Sequence, residues 1–344
     1  MIGASAPLPS LRYLARLSDS NGIVEHAQFD RPRREYGYCT DDAGRLLGLA
    51  SRLPGDPDAF HLADVALGFL ERAHREGAEF RLRQRGNGTW TEDRPSDDAA
   101  GRALFGLGTA VARAPWPELR RRALALFDEA SVLRSEHLRA AACAALGAAE
   151  LLRAEPAHAG ARRLLSHAAT LLGSKGTNET WPWPETRLSY SNALLPEASL
   201  SAAIVLGDPH RASSALEQLR WLVERQTFDG HFSFTPVGGS DSASTPPMFD
   251  QQPIEAWAMA SACARAFAYT WDRRWAEAVQ GAAAWFLGDN DVGVAVFDPV
   301  TGGGFDGLES DGVNRNEGAE SSMAFVGTML DLHELTLELE ATPN

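Results

Sequence analysis

The chain has 344 residues, 44% of them hydrophobic and 23% charged, with a formal charge of −14. That is enough apolar content to bury a large core and the wrong sign for a nucleic-acid partner, which must meet phosphate with a basic face. Three distant cysteines (Cys39, Cys143, Cys263) offer neither a disulfide framework nor C-x-x-C metal spacing, so reduced small hydrophobes are expected.

The N-terminal MIGASAPLPSLRYLARLSDS lacks the basic start and apolar core of a signal peptide, and no apolar run nears the ~18 residues of a membrane span. A cytoplasmic protein without a membrane partner is expected. Pro7 to Leu17 carries a short helical pattern (Leu11, Leu14, Ala15, Leu17), stopped at Gly22. Irregular or extended chain then leads into EYGYCTDDAGRLL, Glu35 to Leu47. Here a Tyr-Gly loop precedes Thr40 as N-cap, with Asp41 and Asp42 in a first turn where free amides and the helix dipole favour carboxylates. The following residues are small or aliphatic nearly all round, so the helix is buried and only its N-terminus can face a ligand.

This grammar recurs. An amphipathic stripe spans Ala59 to Arg75, and Glu79 to Glu92 reads as a β-hairpin around Gly86-Asn87-Gly88. Asp97-Asp98 opens a second apolar helix, followed by an amphipathic one from Pro115 to Phe127. Ser135-Glu136 opens a third, HLRAAACAALGAAELL, covered by Ala161 to Leu172. The aromatic loop Thr180 to Glu185 runs through Tyr190 and Asn192 into a fourth (Ala198 to Leu206), covered by Arg211 to Arg225. Phe249-Asp250-Gln251-Gln252-Pro253 opens a fifth (Ile254 to Tyr269), covered by Arg274 to Leu287. Gly302 to Gly307 and Asn314-Arg315-Asn316 introduce a sixth, from Glu317 to about Leu337.

The polar markers at 41, 97, 136, 192, 250 and 317 stand 39 to 67 residues apart. A repeated pair of one buried and one amphipathic helix signals an architecture whose units bury their faces on one another. Six buried helices have five amphipathic partners downstream, and the helix from Pro7 to Leu17 can supply the sixth. The predicted fold is all-α, a single (α/α)6 toroid over residues 1–344, with its cleft where the long loops enter the inner helices.

EYGYCTDDAGRLL, WPWPETRLSYSNALLPEA, FDQQPIEAWA and NRNEGAESSMAF together resemble a bacterial family of six-hairpin, glycosidase-like proteins, found alone or joined to or encoded near glycosyltransferases and mannoside-processing enzymes. The resemblance covers almost the whole chain and implies a carbohydrate ligand, with mannose-containing glycans as the associated guess. It confers no settled activity, so functional residues are argued from chemistry.

Glycoside hydrolysis needs two carboxyls, one protonated and one ionised, roughly 6.5–9.5 Å apart for inversion. Candidates at the cleft end are Asp41, Asp42, Glu185, Asp250 and Glu320, with Glu317 read as a dipole-complementing first-turn residue. First-turn carboxylates suit the base, whereas Glu185, after Trp181-Pro182-Trp183-Pro184, has the apolar surroundings that suit a general acid. The expected assignment is Glu185 as acid and Asp41, Asp42 or Asp250 as base, with Glu320 in reserve. Sugar contacts are expected from Tyr36, Tyr38, Trp181, Trp183, Tyr190, Asn192, His231, Gln251, Gln252 and Phe305. Arg45 and Arg102, each about one turn after a carboxylate pair, are expected in local ion pairs. No metal or cofactor is expected. Three competing readings are a sugar epimerase or isomerase, for which only His137 and His231 could form a catalytic pair, a lyase using Tyr and His on an acidic sugar, against which the acidic net charge works, and a non-catalytic carbohydrate-binding domain.

Overall fold

The computed structural model describes residues 7–91, 95–173 and 180–341. Among these, twelve helices follow in order: α1 (Arg12–Leu17), α2 (Thr40–Arg52), α3 (Ala59–Ala73), α4 (Asp97–Arg113), α5 (Pro117–Ala130), α6 (Leu138–Ala154), α7 (Ala159–Leu172), α8 (Leu194–Leu206), α9 (Pro209–Arg225), α10 (Pro253–Thr270), α11 (Arg273–Phe286) and α12 (Ala319–Ala341). The even-numbered helices touch one another in sequence and form an inner ring; α12 returns to α2. Each of α3, α5, α7, α9 and α11 packs on the inner helix before it, and α1 lies on α12, closing the outer layer as the unmatched count predicts.

The inner ring depends on small residues. From Arg139 to Leu152, α6 has no exposed position. A Cβ built on Gly108 falls 2.0 Å from the Gly147 carbonyl oxygen, and one on Gly106 falls 2.3 Å from that of Gly44. α2, α4 and α6 therefore meet backbone to backbone, at distances only glycine permits.

Connections from outer to inner helices are long (74–96, 173–193, 226–252, 287–318), whereas those from inner to outer helices, such as 114–116 and 207–208, are short. The long loops gather at the N-terminal ends of the inner helices and carry two-stranded antiparallel ladders. Arg83–Gln84 pairs with Tyr38–Cys39, tying the third loop segment to the start of α2. The expected hairpin turn is present, with the Arg85 N–H donating to the Thr89 carbonyl and a bridge between Gln84 and Trp90, while its last residue, Glu92, lies outside the described residues. The first six residues of the N-terminal stretch lie outside them too. Thr40 is not the N-cap: that position falls on Cys39, and the Thr40 hydroxyl donates instead to the Arg81 carbonyl at 2.5 Å. Among the described residues no helix is long and apolar enough to cross a membrane.

Gly108→Val forces α4 off α6 and is expected to destabilise by about 3 kcal/mol. Gly55→Ala, where a Cβ meets nothing within 4 Å, is expected to stay within about 0.5 kcal/mol. Equal denaturant midpoints for the two variants would show that close backbone approach does not set the ring.

Candidate functional site

The first turns of α2 and α12 bring three charged groups together. Arg45 is buried; its Nη1 donates to Asp42 Oδ1 at 2.9 Å and its Nη2 lies 2.7 Å from Glu320 Oε2. Helical spacing places Asp42 and Arg45 on one face of α2, and Glu320 arrives from the neighbouring helix. Burial pushes the Asp42 carboxyl up against the pull of Arg45. Asp41, one residue earlier, makes no hydrogen bond or ion pair with Arg45 among the described residues. Burial raises its pKa, opposed by Arg45 and then Arg102, and among the described residues its carboxyl has no hydrogen-bond partner.

Arg102 holds the matching place on α4. Its residue is only 6% exposed, yet it makes no hydrogen bond or ion pair with any described residue, contrary to the local pair expected. Arginine is rarely buried unless paired. Nearby, the Arg45 Nε, Ser191 Oγ and Trp257 Nε1 are also buried without partners. Ser191 is held at φ 45°, a conformation uncommon for a residue with a Cβ, just before α8.

These groups share a cavity of about 500 Å³ along the toroid axis. Arg45, Arg102, Ser191, Ile254 and Trp257 form its buried inner end. Arg113, Arg153, Ala268 and Leu337, all exposed on the last turns of the inner helices, form its mouth. The inner end thus lies under the N-terminal turns, where the site was expected, but the cavity opens at the opposite, short-loop end. Its wall there is an ionic lattice. Arg265 reaches Glu150 at 3.1 Å and Glu197 at 3.3 Å; Arg113 and Arg153 also approach Glu150; Arg52 bridges Asp331 and Glu334 at 2.7 Å each. Burial raises Glu150, but Arg265, Arg113 and Arg153 together bring it down to about 2, whereas burial lifts Glu197 to about 7 despite Arg265.

No protein-family model and no curated protein matches this sequence. Among solved structures, the chain superposes on cellobiose 2-epimerase from Bacillus thermoamylovorans B4167 with 12% identity over 96% of each chain and a TM-score of 0.71. It is also similar to D-mannose isomerase (11% identity, 95% of each chain, TM-score 0.69). A third likeness is to a cellulase of C. cellulolyticium in complex with cellobiose (10% identity, 92% of this chain and 88% of that one, TM-score 0.62). The fold is an (α/α)6 toroid. At such identities the likeness establishes that and nothing finer.

Several expected site residues are engaged by other protein groups. Glu185 is gripped by Arg139 in a bidentate pair at 2.7 and 2.9 Å and accepts from the Trp183 indole at 3.3 Å, so the apolar surroundings expected of an acid are absent. Trp183, 1% exposed, stacks on Trp221 of α9, and Trp181 meets the same ring edge-on. Neither indole forms the open sugar platform expected. Tyr38 is buried against Phe69 with its hydroxyl donating to Asp19. Asp250 is exposed and three residues ahead of α10, outside the first turn expected for it. Gln251 is fully buried and ties Phe234, Trp285 and Asp291 together, and His231 pairs with the same Asp291 at 3.1 Å. Both therefore brace the outer layer. Gln252 is the partly buried N-cap of α10, Tyr36 is exposed beneath Arg33, and Phe305 packs against the core.

Tyr190 remains at the rim, its hydroxyl 3.3 Å from Asp98 and its ring under Arg139. Asn192 is buried, receiving Arg139 and donating to Glu255 Oε2 at 3.0 Å. The residues that sequence reasoning missed are Ser191, Glu255, Trp257 and the lattice around Glu150. The available signal was a charged residue inside an otherwise apolar helix, as with Glu150, Arg265 and Asp331. Ligand atoms of Glu25, Cys39 and Asp42 lie within 4.8 Å of one another, but Arg83 and Arg45 hold the two carboxylates and burial pushes the thiol up, a poor donor set for a cation.

Glu255 is lifted to about 7 by burial, against the Asn192 N–H groups, from an ordinary value of 4.5. Between these values the folded protein holds a proton that the unfolded chain has released, so stability falls as pH rises. Glu255→Gln is expected to flatten that fall and to exceed the parent at pH 8 by at most about 3 kcal/mol, read by urea unfolding across pH. A variant that follows the parent curve would show that the carboxyl is not held neutral.

Proposed function

We propose that the chain is a glycoside hydrolase acting on an oligosaccharide with inversion, Asp41 serving as the acid and Glu320 as the base. The observation that carries this reading is the contrast between two neighbouring carboxyls. Burial favours the protonated form of Asp41, and its oxygens have no protein partner among the described residues. The Glu320 side chain is 42% exposed and is held as an ion pair by Arg45. Carboxyls driven apart by their surroundings can divide acid and base work. Asp41 gives its proton to the glycosidic oxygen while Glu320 takes one from the water attacking the anomeric carbon on the other face. An inverting mechanism places them roughly 6.5–9.5 Å apart, with that water between. Ser191, Trp257 and Tyr190 supply contacts for sugar hydroxyls and ring faces.

The fold shared with a cellulase solved with cellobiose supports a carbohydrate ligand. Its sharing with epimerases keeps proton abstraction in view, for which a pair of facing histidines would be needed. His231 is committed to Asp291, and His137 is exposed at the start of α6.

A reducing-end assay on manno-, gluco- and galacto-oligosaccharides tests the proposal, with proton NMR following the first anomer released. Asp41→Asn and Glu320→Gln are each expected to lower kcat by about 10²–10⁴. Glu185→Gln is expected to keep kcat while lowering the melting temperature. Full activity in Asp41→Asn, or a C2 epimer with no new reducing ends, would overturn it.

A further inference from the structure

We propose that the axial cavity takes a sugar bearing an acidic group, a carboxylate or phosphate, and that Arg102 is the receptor for that group. The inference concerns binding, and it rests on the hydrolase reading only for the sugar part of the ligand.

The cavity reverses the electrostatic character of the chain. The whole sequence carries −14, yet the lining holds six arginines (Arg45, Arg52, Arg102, Arg113, Arg153, Arg265) against five carboxylates. Burial further favours the neutral forms of Glu197 and Asp331. Arg45, Arg52 and Arg265 are each met by carboxylates at 3.3 Å or less. Arg102, at the inner end, is met by none among the described residues.

A guanidinium keeps its proton at every physiological pH, so its burial must be compensated by charge or by a strong acceptor. Asp41 feels Arg102 electrostatically but makes no hydrogen bond or ion pair with it. Neutral hydroxyls can accept its hydrogen bonds but leave the charge uncancelled. A carboxylate or phosphate does both, accepting two N–H bonds in the planar geometry that the guanidinium offers.

The neighbouring unpartnered atoms, Arg45 Nε, Ser191 Oγ and Trp257 Nε1, can all donate, which suits the oxygen-rich remainder of an acidic sugar. The volume of about 500 Å³ is within the range of small-molecule sites. At the mouth, the Arg113 and Arg153 side chains are 43% and 57% exposed, beside the carboxylates of Glu334 and Glu338.

The test is calorimetry of the full chain with three probes of similar size: a disaccharide containing a hexuronate, a phosphorylated disaccharide, and neutral mannobiose. At least one acidic probe is expected to bind about 50-fold or more tightly than mannobiose; which one does so identifies the acidic group. Arg102→Gln is expected to weaken that probe about 100-fold and mannobiose by about 10-fold at most. Without ligand, the variant is expected to melt a few degrees higher, because an uncompensated buried charge is gone, and this also certifies its folding. Equal affinities for acidic and neutral probes, undiminished acidic binding in Arg102→Gln, or a lower melting temperature in the variant would overturn the proposal. Tight acidic binding without hydrolysis would sink the hydrolase reading alone. Cleavage of neutral oligosaccharides with no acidic preference would sink only this one.

Discussion

Close contact between inner helices is the constraint from which the rest follows. Gly44, Gly106, Gly108 and Gly147 let α2, α4 and α6 approach backbone to backbone, leaving almost no room for side chains between helices on that side of the ring. Long side chains on the inner helices therefore point along the axis or into it. Because Cα–Cβ bonds tilt toward a helix N-terminus, a side chain can reach back toward the first turn of its own helix. Arg45 accordingly reaches Asp42 and Glu320 in the first turns, and Arg265 reaches Glu150 and Glu197 a few turns below.

An axis lined this way has to satisfy its own charges. At the short-loop end it does so, three arginines sharing Glu150 and Arg52 taking Asp331 and Glu334. At the inner end it does not: Arg45 Nε, Ser191 Oγ and Trp257 Nε1 are buried without partners, and Arg102 makes no ion pair among the described residues. Buried polar groups are normally paired, and a concentration of exceptions marks where a ligand supplies the missing partners. The stability given up there is balanced by the packed ring around it.

The fold was legible because its signals are periodic. Alternation of Ala/Gly-rich and amphipathic helices, long loops on one side and an unmatched N-terminal helix together specify the toroid and its closure. The site was legible only in part. Asp41, Asp42 and Glu320 stand out in the sequence as carboxylates near helix starts, whereas nothing near Glu185 shows that Arg139, 46 residues away, binds its carboxylate. The same holds for Trp181 and Trp183, since Trp221 lies under both. Arg102 was read as a local pair by analogy with Arg45, but Arg45 has Asp42 three residues before it and Glu320 from α12, whereas Ala99 stands three residues before Arg102. The mouth at the short-loop end was invisible for a related cause: its charged residues are scattered singly through apolar helices and converge only when the ring closes.

A crystal structure of the protein with a bound oligosaccharide tests the central claim most directly. The account predicts sugar oxygens within hydrogen-bonding distance of Asp41, Arg102 and Ser191 at the inner end of the axial cavity, with the glycosidic oxygen against the Asp41 carboxyl. A ligand confined to the outer surface of the long loops, with Asp41 and Arg102 contacting only water, would contradict it.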